Sequence, residues 1–213
     1  MTHTTNIVEM RDAALAQSNS SLNVHDNLKG MSIPELQEHS LTDRLPWHTM
    51  CLNITGDLNV GTMVRTSHCL GATSVIVFGR QRIDNRSLVG AGNYIKFEKI
   101  SGVDENLQLN FDKFAEIITE RNLTPIFVEG GGLNLSDLNW KIHIETISLQ
   151  GSQPCLIMGN ETDGIPQKFL DRRHEFPNSF IVSIPQRGVI RSFNVGVAHA
   201  IVSGSMCSSM NWM

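Results

Sequence analysis

The sequence predicts an α/β fold: a mostly parallel sheet with helices on both faces. Short apolar runs alternate with helix-like patterns from Leu45 onward. Most of these runs are apolar at every position, which is typical of strands that are buried on both sides in a parallel sheet. Ligands bind such sheets in the loops that follow the carboxyl ends of the strands. These loops are therefore where we expect a functional site.

Five strands are predicted after residue 45. They cover residues 49–54, 74–78, 125–128, 155–158 and 180–184. β-Branched and other apolar side chains favour strand structure in each of them. The Gly130-Gly131-Gly132 run is predicted to end the third strand.

Four helices are predicted from caps and from apolar spacing. They cover residues 59–70, 111–120, 166–173 and 192–206. Asn59 and Ser192 are the expected amino-terminal caps of the first and last helix. In the second helix, apolar side chains from Phe111 to Ile118 repeat at i, i+3, i+4 and i+7. The last helix is small or apolar on nearly every side, so its own sheet or a second subunit must cover it from more than one direction.

The first 45 residues differ in composition from the rest. They are rich in Asn, Ser, Thr and Gln, and their apolar residues occur singly. A short helix is predicted at residues 32–39, with Ser32 as its cap and Glu35 three positions later, the spacing of a capping box. We therefore predict a polar, partly flexible amino-terminal extension at residues 1–45 and one α/β domain at residues 46–213.

Composition excludes several classes of protein. The 213 residues are 40% hydrophobic and 18% charged, which is typical of a folded, core-forming chain and not of a disordered one. No apolar run reaches the roughly 18 residues that span a bilayer, and the amino terminus has no signal-peptide pattern. We expect a cytoplasmic protein with no membrane partner.

The overall charge argues against a non-specific nucleic-acid binder. The net charge is −4, from 17 Lys+Arg and 21 Asp+Glu, whereas affinity for nucleic acid comes largely from neutralised phosphates. A protein that places its basic side chains on one face is not excluded. The candidates for such a stripe are Arg80, Arg82, Arg86, Lys96, Arg172, Arg173, Arg187 and Arg191.

No metal or nicotinamide site is predicted. Cys51, Cys69, Cys155 and Cys207 are scattered without a CxxC pair, so each is expected to be a buried free thiol. The eight histidines form no HExxH pattern, and His199 is expected in the core or at a subunit contact. A GxGxxG motif and a phosphate-binding Gly-Lys-Ser/Thr sequence are both absent.

Three segments at predicted strand ends carry chemistry. The first, residues 59–66 (NVGTMVRT), places Gly61 one turn before Arg65 on a helix. A glycine within a helix lowers its stability by about 1 kcal/mol relative to alanine. We therefore expect a ligand or a neighbouring group to occupy the space that a side chain would fill. Either that space, beside the guanidinium, takes a phosphate or another planar anion, or Arg65 is a surface arginine next to a close helix–strand contact.

The second segment, residues 158–166 (MGNETDGIP), directly follows an apolar strand. Gly159 allows a ligand to approach the backbone, and Glu161 and Asp163 place acid at the edge of the sheet. A carboxylate there can hold a cationic ligand or a ribose hydroxyl, or it can orient an arginine. The alternative is an Asx-type turn before a helix.

The third segment, residues 184–195 (IPQRGVIRSFNV), joins a strand to the last helix. With Ser192 as the cap, Asn194 lies in the first turn, where free backbone N–H groups favour a carboxylate or a phosphate. The alternative is a cap and a turn without a ligand.

In this order, the three segments resemble the motifs of the SpoU family of RNA ribose 2′-O-methyltransferases, in the SPOUT superfamily. NVGTMVRT followed by LGA is similar to the family's Asn-x-Gly…Arg motif, and LIMGNETDGIP to its Gly-x-Glu-x-x-Gly motif. SIPQRGVIRSFNVGVAHA is similar to the Ile-Pro…Ser-Leu-Asn-Val motif, with Phe193 in place of the common Leu. The sequence of this third segment is most similar to the motif of the eukaryotic branch that methylates a D-loop guanosine of tRNA. The resemblance covers residues 49–206.

The resemblance makes residues 46–213 a SpoU-like methyltransferase domain with a deep trefoil knot in its carboxyl-terminal part. It implies S-adenosyl-L-methionine as the cofactor, an RNA substrate with tRNA as the first choice, and no metal. It also implies a homodimer that packs through the knot region and the last helix, with an active site shared between subunits. The alternatives are the same chemistry on ribosomal RNA, or an inactive relative that binds cofactor or RNA without catalysis.

Site residues follow from the matched motif positions. The resemblance implies that Arg65 is the catalytic arginine and that four residues position it and the substrate: Asn59, Glu161, Ser192 and Asn194. Arg65 either helps to remove the proton of the 2′-hydroxyl together with a substrate phosphate, or clamps the 3′-phosphate and stabilises the developing alkoxide. The residues implied to bind the cofactor are Val128, Glu129, Gly130, Gly159, Asn160, Gly164, Ile184, Gln186, Ser192 and Phe193.

Overall fold

A computed structural model of the chain describes residues 23–80, 83–88 and 90–213. Contacts divide these residues into two units, one that ends at Asp43 and one that begins at Arg44. Residues 1–22 of the predicted extension at residues 1–45 lie outside the described residues. Arg82 of the predicted basic stripe also lies outside them.

The first unit contains a short 3-10 helix at Asp26–Leu28 and the helix α1 at Ile33–Thr42. Ser32 is the cap of α1, as predicted. Its backbone N–H and its Oγ both donate to Glu35 Oε2, at 2.7 and 2.6 Å. The Glu35 carboxylate therefore satisfies a backbone donor that the helix itself leaves without a partner.

The second unit is built on a six-stranded sheet. In chain order the strands are β1 (Leu45–Leu52), β2 (Ala72–Gly79), β3 (Lys96–Ser101), β4 (Leu123–Asn134), β5 (Gln153–Met158) and β6 (Phe180–Ser183). Their order in the sheet is β3-β2-β1-β5-β4-β6, and each neighbouring pair runs parallel. The predicted parallel sheet and its five predicted strands are confirmed.

Helices cover both faces of this sheet, as predicted. After α1 they are α2 (Asp57–Cys69), α3 (Phe111–Glu120), α4 (Trp140–Leu149), α5 (Gln167–Asp171) and α6 (Val195–Ser209). Helices α2, α4 and α6 contribute to one cluster of buried side chains, and α3 and α5 contribute to another. Cys51 of β1 lies in the first cluster and its neighbour Met50 in the second. Side chains alternate in this way along any strand that is covered on both faces.

Two elements, β3 and α4, were not predicted. Strand β3 forms an edge of the sheet, and its residues are exposed or half-buried, so it has no continuous apolar run. Helix α4 buries Trp140, Ile144 and Ile147, which lie at i, i+4 and i+7. That spacing is the ordinary signal of an amphipathic helix, so the sequence contained the evidence for α4.

Both predicted helix caps in the second unit are wrong. Helix α2 begins two residues earlier, with Gly56 at the cap position, so Asn59 lies inside the first turn. Asn59 Oδ1, the atom that would accept from the helix in a cap, instead accepts from Asn194 Nδ2. Helix α6 is capped by Asn194 and not by Ser192, since Asn194 Oδ1 accepts from the N–H groups of the next turn.

Three of the four cysteines are buried as expected, but Cys69 is exposed. It is the last residue of α2 and lies on the solvent side of that helix, like Arg65. His199 is a core residue: its Nε2 lies 2.9 Å from Thr49 Oγ1, and its ring stacks on Trp47. Burial lowers the pKa of His199 to about 3.

None of the described helices is long and apolar enough to cross a membrane. In the same part of the chain, no three His, Cys, Asp or Glu side chains lie close enough together to hold a metal ion. Both findings concern residues 23–80, 83–88 and 90–213 only.

Candidate active site

A cavity of about 540 Å³ lies where a loop within β4 (residues 129–132) meets the loops after β5 and β6. Every residue that the resemblance implies for cofactor binding lines this cavity. Glu161, Ser192 and Asn194 of the predicted catalytic set line it as well, whereas Arg65 and Asn59 do not. Parallel strands thus bring three distant segments of sequence to one space, as expected for this class of sheet.

The loop within β4 is a bulge that interrupts the pairing of the strand with β6. Val128 and Leu133 both align with Val182 of β6, so residues 129–132 leave the strand pairing. The prediction that the glycine run ends the strand is therefore wrong, because β4 resumes after it. Gly132 permits this: a Cβ added there would lie 2.5 Å from the carbonyl carbon of Ile181, so only glycine lets the two strands rejoin.

Glu129 connects the loop within β4 to the loop after β5. Its Oε2 accepts from the Ile165 N–H at 2.9 Å, and its Oε1 accepts from the Gly130 N–H at 3.0 Å. Gly164 lies against this carboxylate and has a φ of +67°, in the left-handed region that favours glycine. Both carboxylate oxygens of Glu129 are therefore used to hold backbone groups of the two loops.

The loop after β5 is a tight turn organised by Asn160. The backbone groups of Asn160 and Gly164 exchange two hydrogen bonds of 3.0 Å. Asn160 Oδ1 accepts from the Thr162 N–H at 2.9 Å, so the Asx-type turn considered from the sequence is present. Gly159 packs tightly beneath it, since a Cβ there would lie 2.5 Å from Ile165 N.

Glu161 projects from this turn onto the start of α2. Its Oε1 accepts from the Gly56 N–H at 2.9 Å and from Asn59 Nδ2 at 2.8 Å. Its Oε2 accepts from the N–H and the Oγ1 of Thr55, both at 3.1 Å. Burial raises the pKa of Glu161, but these donors lower it more, to about 2. Glu161 is therefore an anion that holds the positive end of a helix.

Asn59 and Asn194 extend this contact to α6. Asn194 Nδ2 donates to Asn59 Oδ1 at 2.9 Å. Asn194 Oδ1 accepts from the N–H groups of Gly196 and Val197, at 3.0 and 3.2 Å. Asn194 therefore uses two of the N–H groups that we expected to be free for an anion. The start of α6 corresponds to the alternative expectation of a cap and a turn.

The sequence model of the SpoU rRNA Methylase family matches residues 47–204. This match spans most of the chain and includes all three loops that line the cavity. The chain belongs to the SpoU rRNA Methylase family. Comparison with curated proteins gives no significant match.

Solved structures share the fold of this SpoU-family chain. The A. aeolicus TrmH/SpoU tRNA modifying enzyme superposes with a TM-score of 0.61 and 17% identity, over 84% of each chain. The SpoU methyltransferase AviRb from Streptomyces viridochromogenes, in complex with AdoMet, gives 0.59 and 19%, over 79% of this chain and 58% of that one. The AdoMet-bound rRNA methyltransferase from Sinorhizobium meliloti gives 0.59 and 18%, over 81% and 59%. The SpoU-family chain therefore spans less than two thirds of the length of the last two proteins.

Arg65 of this SpoU-family chain lies apart from the cavity. Its side chain is exposed on α2, and it makes no hydrogen bond or ion pair within the residues that the structure describes. The idea that Gly61 leaves room for an anion beside it is wrong, because a Cβ at Gly61 would lie 2.8 Å from the carbonyl carbon of Ser87. Glycine is needed for close packing of the 3-10 helix Asn85–Leu88 against α2.

Two residues near the cavity of this SpoU-family chain were not predicted to belong to the site. Asn53 follows β1 with a φ of +49°, and its carbonyl oxygen accepts from Asn160 Nδ2 at 2.7 Å. Arg191 lines the cavity, and its Nη2 donates to the carbonyl oxygen of Thr162 at 3.2 Å. In the sequence, Asn53 was predicted only as part of a strand, and Arg191 was predicted only as a member of the basic stripe and of the segment at residues 184–195.

Proposed function

We propose that this SpoU-family chain transfers the methyl group of S-adenosyl-L-methionine to the ribose 2′-hydroxyl of an RNA nucleotide, with a tRNA guanosine as the target. The observation that carries the proposal is the hydrogen-bonded series Glu161–Asn59–Asn194. It joins one residue from each of the three motif segments, and two of them, Glu161 and Asn194, line the cavity. Membership in a family of RNA methylases supports the reaction class.

The cavity suits S-adenosyl-L-methionine in size and chemistry. Its volume of about 540 Å³ is typical of small-molecule sites, which span roughly 300–1,000 Å³. Met158, Val182 and Ala198 contribute apolar surface, and Gln186 and Ser192 contribute polar groups. The AviRb and Sinorhizobium meliloti structures contain AdoMet, which supports the same cofactor here.

The chain's own residues have to align the hydroxyl and place charge. When bound, S-adenosyl-L-methionine supplies an activated methyl group on a positively charged sulfur, so alignment is the larger part of the task. We assign contact with the ribose to Ser192, which is exposed at the cavity. Glu161 is not the base, because four donors occupy its oxygens and its pKa is about 2. Its task is to hold α2 and Asn59 in place.

We also propose a homodimer that packs through α6, in which Arg65 serves the cavity of the second subunit. Leu58 on α2 and Val197 on α6 are apolar side chains that remain 79% and 47% exposed, and a second copy would cover them. Arg65 shares the solvent side of α2 with Leu58 and Thr62. An arginine keeps its proton at neutral pH, so we assign Arg65 to the 3′-phosphate and the developing alkoxide.

A deep trefoil knot and a cytoplasmic location complete the proposal. Strand β6 pairs with β4 at an edge of the sheet, and the chain then returns to pack α6 against β5 and α2. A return of this kind, past the loop within β4, supports threading of the carboxyl-terminal part. The cytoplasmic location follows from the sequence analysis alone.

Ribosomal RNA is the second candidate substrate. The description of the matching family names rRNA, and similar structures include both a tRNA-modifying enzyme and an rRNA methyltransferase. An inactive relative is the third candidate, motivated by the net charge of −4.

Incubation with unmodified total RNA and radiolabelled S-adenosyl-L-methionine tests the proposal. We expect label on RNA of tRNA size, and nuclease mapping should place it on a guanosine whose 3′-phosphodiester resists alkali. The negative control is Gly159→Val, because any side chain at this position collides with Ile165 N. Label on rRNA would change the substrate, and cofactor binding by calorimetry without any label would favour the inactive relative. Absence of both binding and label would contradict the proposed function.

A further inference from the structure

We propose that Arg191 binds a phosphate of the RNA chain next to the methylated nucleotide. The inference rests on the proposed function, because it names a group that holds the RNA at the same cavity. It is separate from the role assigned to Arg65, since Arg191 lines the cavity of its own chain.

Arg191 presents an available guanidinium at the cavity. Among the described residues it is the one Lys or Arg that lines this space. Its side chain is exposed. Within the described chain its guanidinium makes one hydrogen bond, from Nη2 to the Thr162 carbonyl oxygen at 3.2 Å. An arginine carries five N–H donors in a planar fork, so most of the fork can receive a ligand. Phosphate oxygens match that fork.

Carboxylates at the cavity do not neutralise Arg191. Glu129, Glu161 and Asp163 line the same space. Glu129 and Glu161 direct their oxygens to backbone and amide N–H groups of the loops and of α2. Asp163 is exposed and forms no ion pair with Arg191 within the described chain. The positive charge of Arg191 is therefore available to an anion that enters the cavity.

Two other arginines of the predicted stripe form ion pairs with nearby carboxylates. Arg86 pairs with Asp84, and Arg172 pairs with both Asp112 and Glu175. The lining of the cavity also contains more acidic than basic side chains, since Arg191 shares it with Glu129, Glu161 and Asp163. The proposed contact with RNA therefore depends on one arginine that forms no ion pair within the described chain, and not on the net charge of the protein.

Arg191 is held in position before a ligand arrives. With the Gln186 amide oriented so that its nitrogen faces the two carbonyl groups, Nε2 donates to the oxygens of Ile190 and Arg191, at 3.0 and 3.2 Å. Thr162 fixes the guanidinium from the other side. The loop after β6 is thus braced internally and tied to the loop after β5. A cation that is already placed loses less side-chain entropy on binding.

A carboxylate of the cofactor is the other oxyanion that Arg191 can take. The exposure of Arg191 and of its partner Thr162 favours the RNA, because both side chains lie at the solvent side of the cavity. The buried residues Met158 and Val182 line the same cavity on its inner side. The experiment below has one arm for each source.

Two variants at position 191 and one matched control test the inference. Arg191→Lys keeps the charge, whereas Arg191→Gln keeps a donor for Thr162 and removes the charge. Arg173→Gln is the control, because Arg173 is also exposed, also donates to one backbone carbonyl, that of Leu170, and does not line the cavity. Methyl-transfer kinetics are measured against RNA concentration at several salt concentrations, and cofactor affinity is measured by calorimetry.

In Arg191→Gln we expect the KM for RNA to rise about tenfold, the scale of a lost charged hydrogen bond. The kcat should change little, because the contact is equally present in the ground state. The slope of log affinity against log salt should fall by about 0.7–1, the contribution of one phosphate. Arg191→Lys should keep most of both properties, Arg173→Gln should match the wild type, and cofactor affinity should stay constant throughout.

A weaker cofactor affinity in Arg191→Gln with an unchanged KM for RNA overturns the inference and assigns Arg191 to the cofactor carboxylate. An unchanged KM together with an unchanged salt slope also overturns it and leaves Arg191 as a contact between loops. Failure of the proposed function is recognised separately, since the wild type would then transfer no methyl group. In that case filter binding of RNA to the same variants still decides whether Arg191 contacts phosphate.

Discussion

Asn194 Nδ2 donates to Asn59 Oδ1 at 2.9 Å, across 135 residues of sequence. Asn59 in turn donates to Glu161 Oε1 at 2.8 Å. The cap of α6, the first turn of α2 and the loop after β5 are therefore parts of one hydrogen-bonded unit. Asn59 and Asn194 each donate a hydrogen bond with the side-chain nitrogen and accept with the side-chain oxygen. A substitution can therefore remove one of these bonds and keep the other.

Asn194→Asp should separate capping from the link to Asn59. A carboxylate still accepts from the N–H groups of Gly196 and Val197, but it cannot donate to Asn59. We expect the free energy of unfolding to change by less than about 1 kcal/mol, while kcat falls about tenfold because the loops lose alignment. Asn194→Ala removes both contacts and should destabilise the fold by about 1–2 kcal/mol. Urea unfolding and methyl transfer measure the two effects, and wild-type turnover in Asn194→Asp would show that the link is dispensable.

Glu161 should make stability depend on pH in the acid range. Burial raises its pKa, but hydrogen bonds from Asn59, Thr55 and Gly56 lower it from 4.5 to about 2. A pKa that is lower in the folded state adds stability that is fully present above the unfolded value and is lost as the pH falls toward the folded value. Glu161→Gln should therefore lower the urea midpoint at pH 7 and have a much smaller effect near pH 2.5.

The control for this pH dependence is Glu116→Gln, which changes an exposed carboxylate on α3. It should leave the urea midpoint close to that of the wild type at both pH values. A difference between Glu161→Gln and wild type that stays constant from pH 7 to pH 2.5 would contradict the assigned role.

Gly159→Ala should damage the cavity through the backbone. The added Cβ would lie 2.5 Å from Ile165 N, so the turn at residues 160–164 has to move. We expect a loss of about 2 kcal/mol in the free energy of unfolding and weaker cofactor binding by calorimetry. Gly130→Ala is the matched control, because Gly130 lines the same cavity but its Cβ would meet no atom within 4 Å. Equal stability of the two variants would show that Gly159 is not tightly packed.

Most of the fold could be predicted because burial leaves a continuous signal. The strands that lie inside the sheet, together with β6, carry unbroken apolar runs, whereas β3 at the opposite edge mixes Lys96, Glu98 and Lys99 with half-buried apolar residues. Its pairing with β2 depends on hydrogen bonds of the backbone, which any sequence can make. An edge strand of this kind leaves little trace in composition.

The site could be located from the sequence but not assembled from it. Parallel strands place their following loops at one edge, so the cavity's position was predictable. The hydrogen-bond partners of the site residues were not predictable. Asn59 and Ser192 are both good cap residues by type, but in the structure Asn59 donates to Glu161 and Asn194 caps α6. Gly61 shows the same limit. A glycine in a helix indicates that a side chain would not fit there, but the sequence does not show that Ser87 is the neighbour.

Arg65→Ala and Gly159→Val should complement each other in mixed dimers. The first variant keeps the cavity and the second keeps the arginine, so each homodimer should be inactive. If Arg65 serves the cavity of the second subunit, a mixed dimer contains one site with both parts intact, and turnover should recover to about half the wild-type value per dimer. If Arg65 serves its own cavity, every site in the mixed dimer lacks one part and activity stays absent. Dimers purified through two different tags provide the sample, and calorimetry should find one cofactor site in each. A protein that sediments as a monomer while methylating RNA at full rate would contradict the shared site altogether.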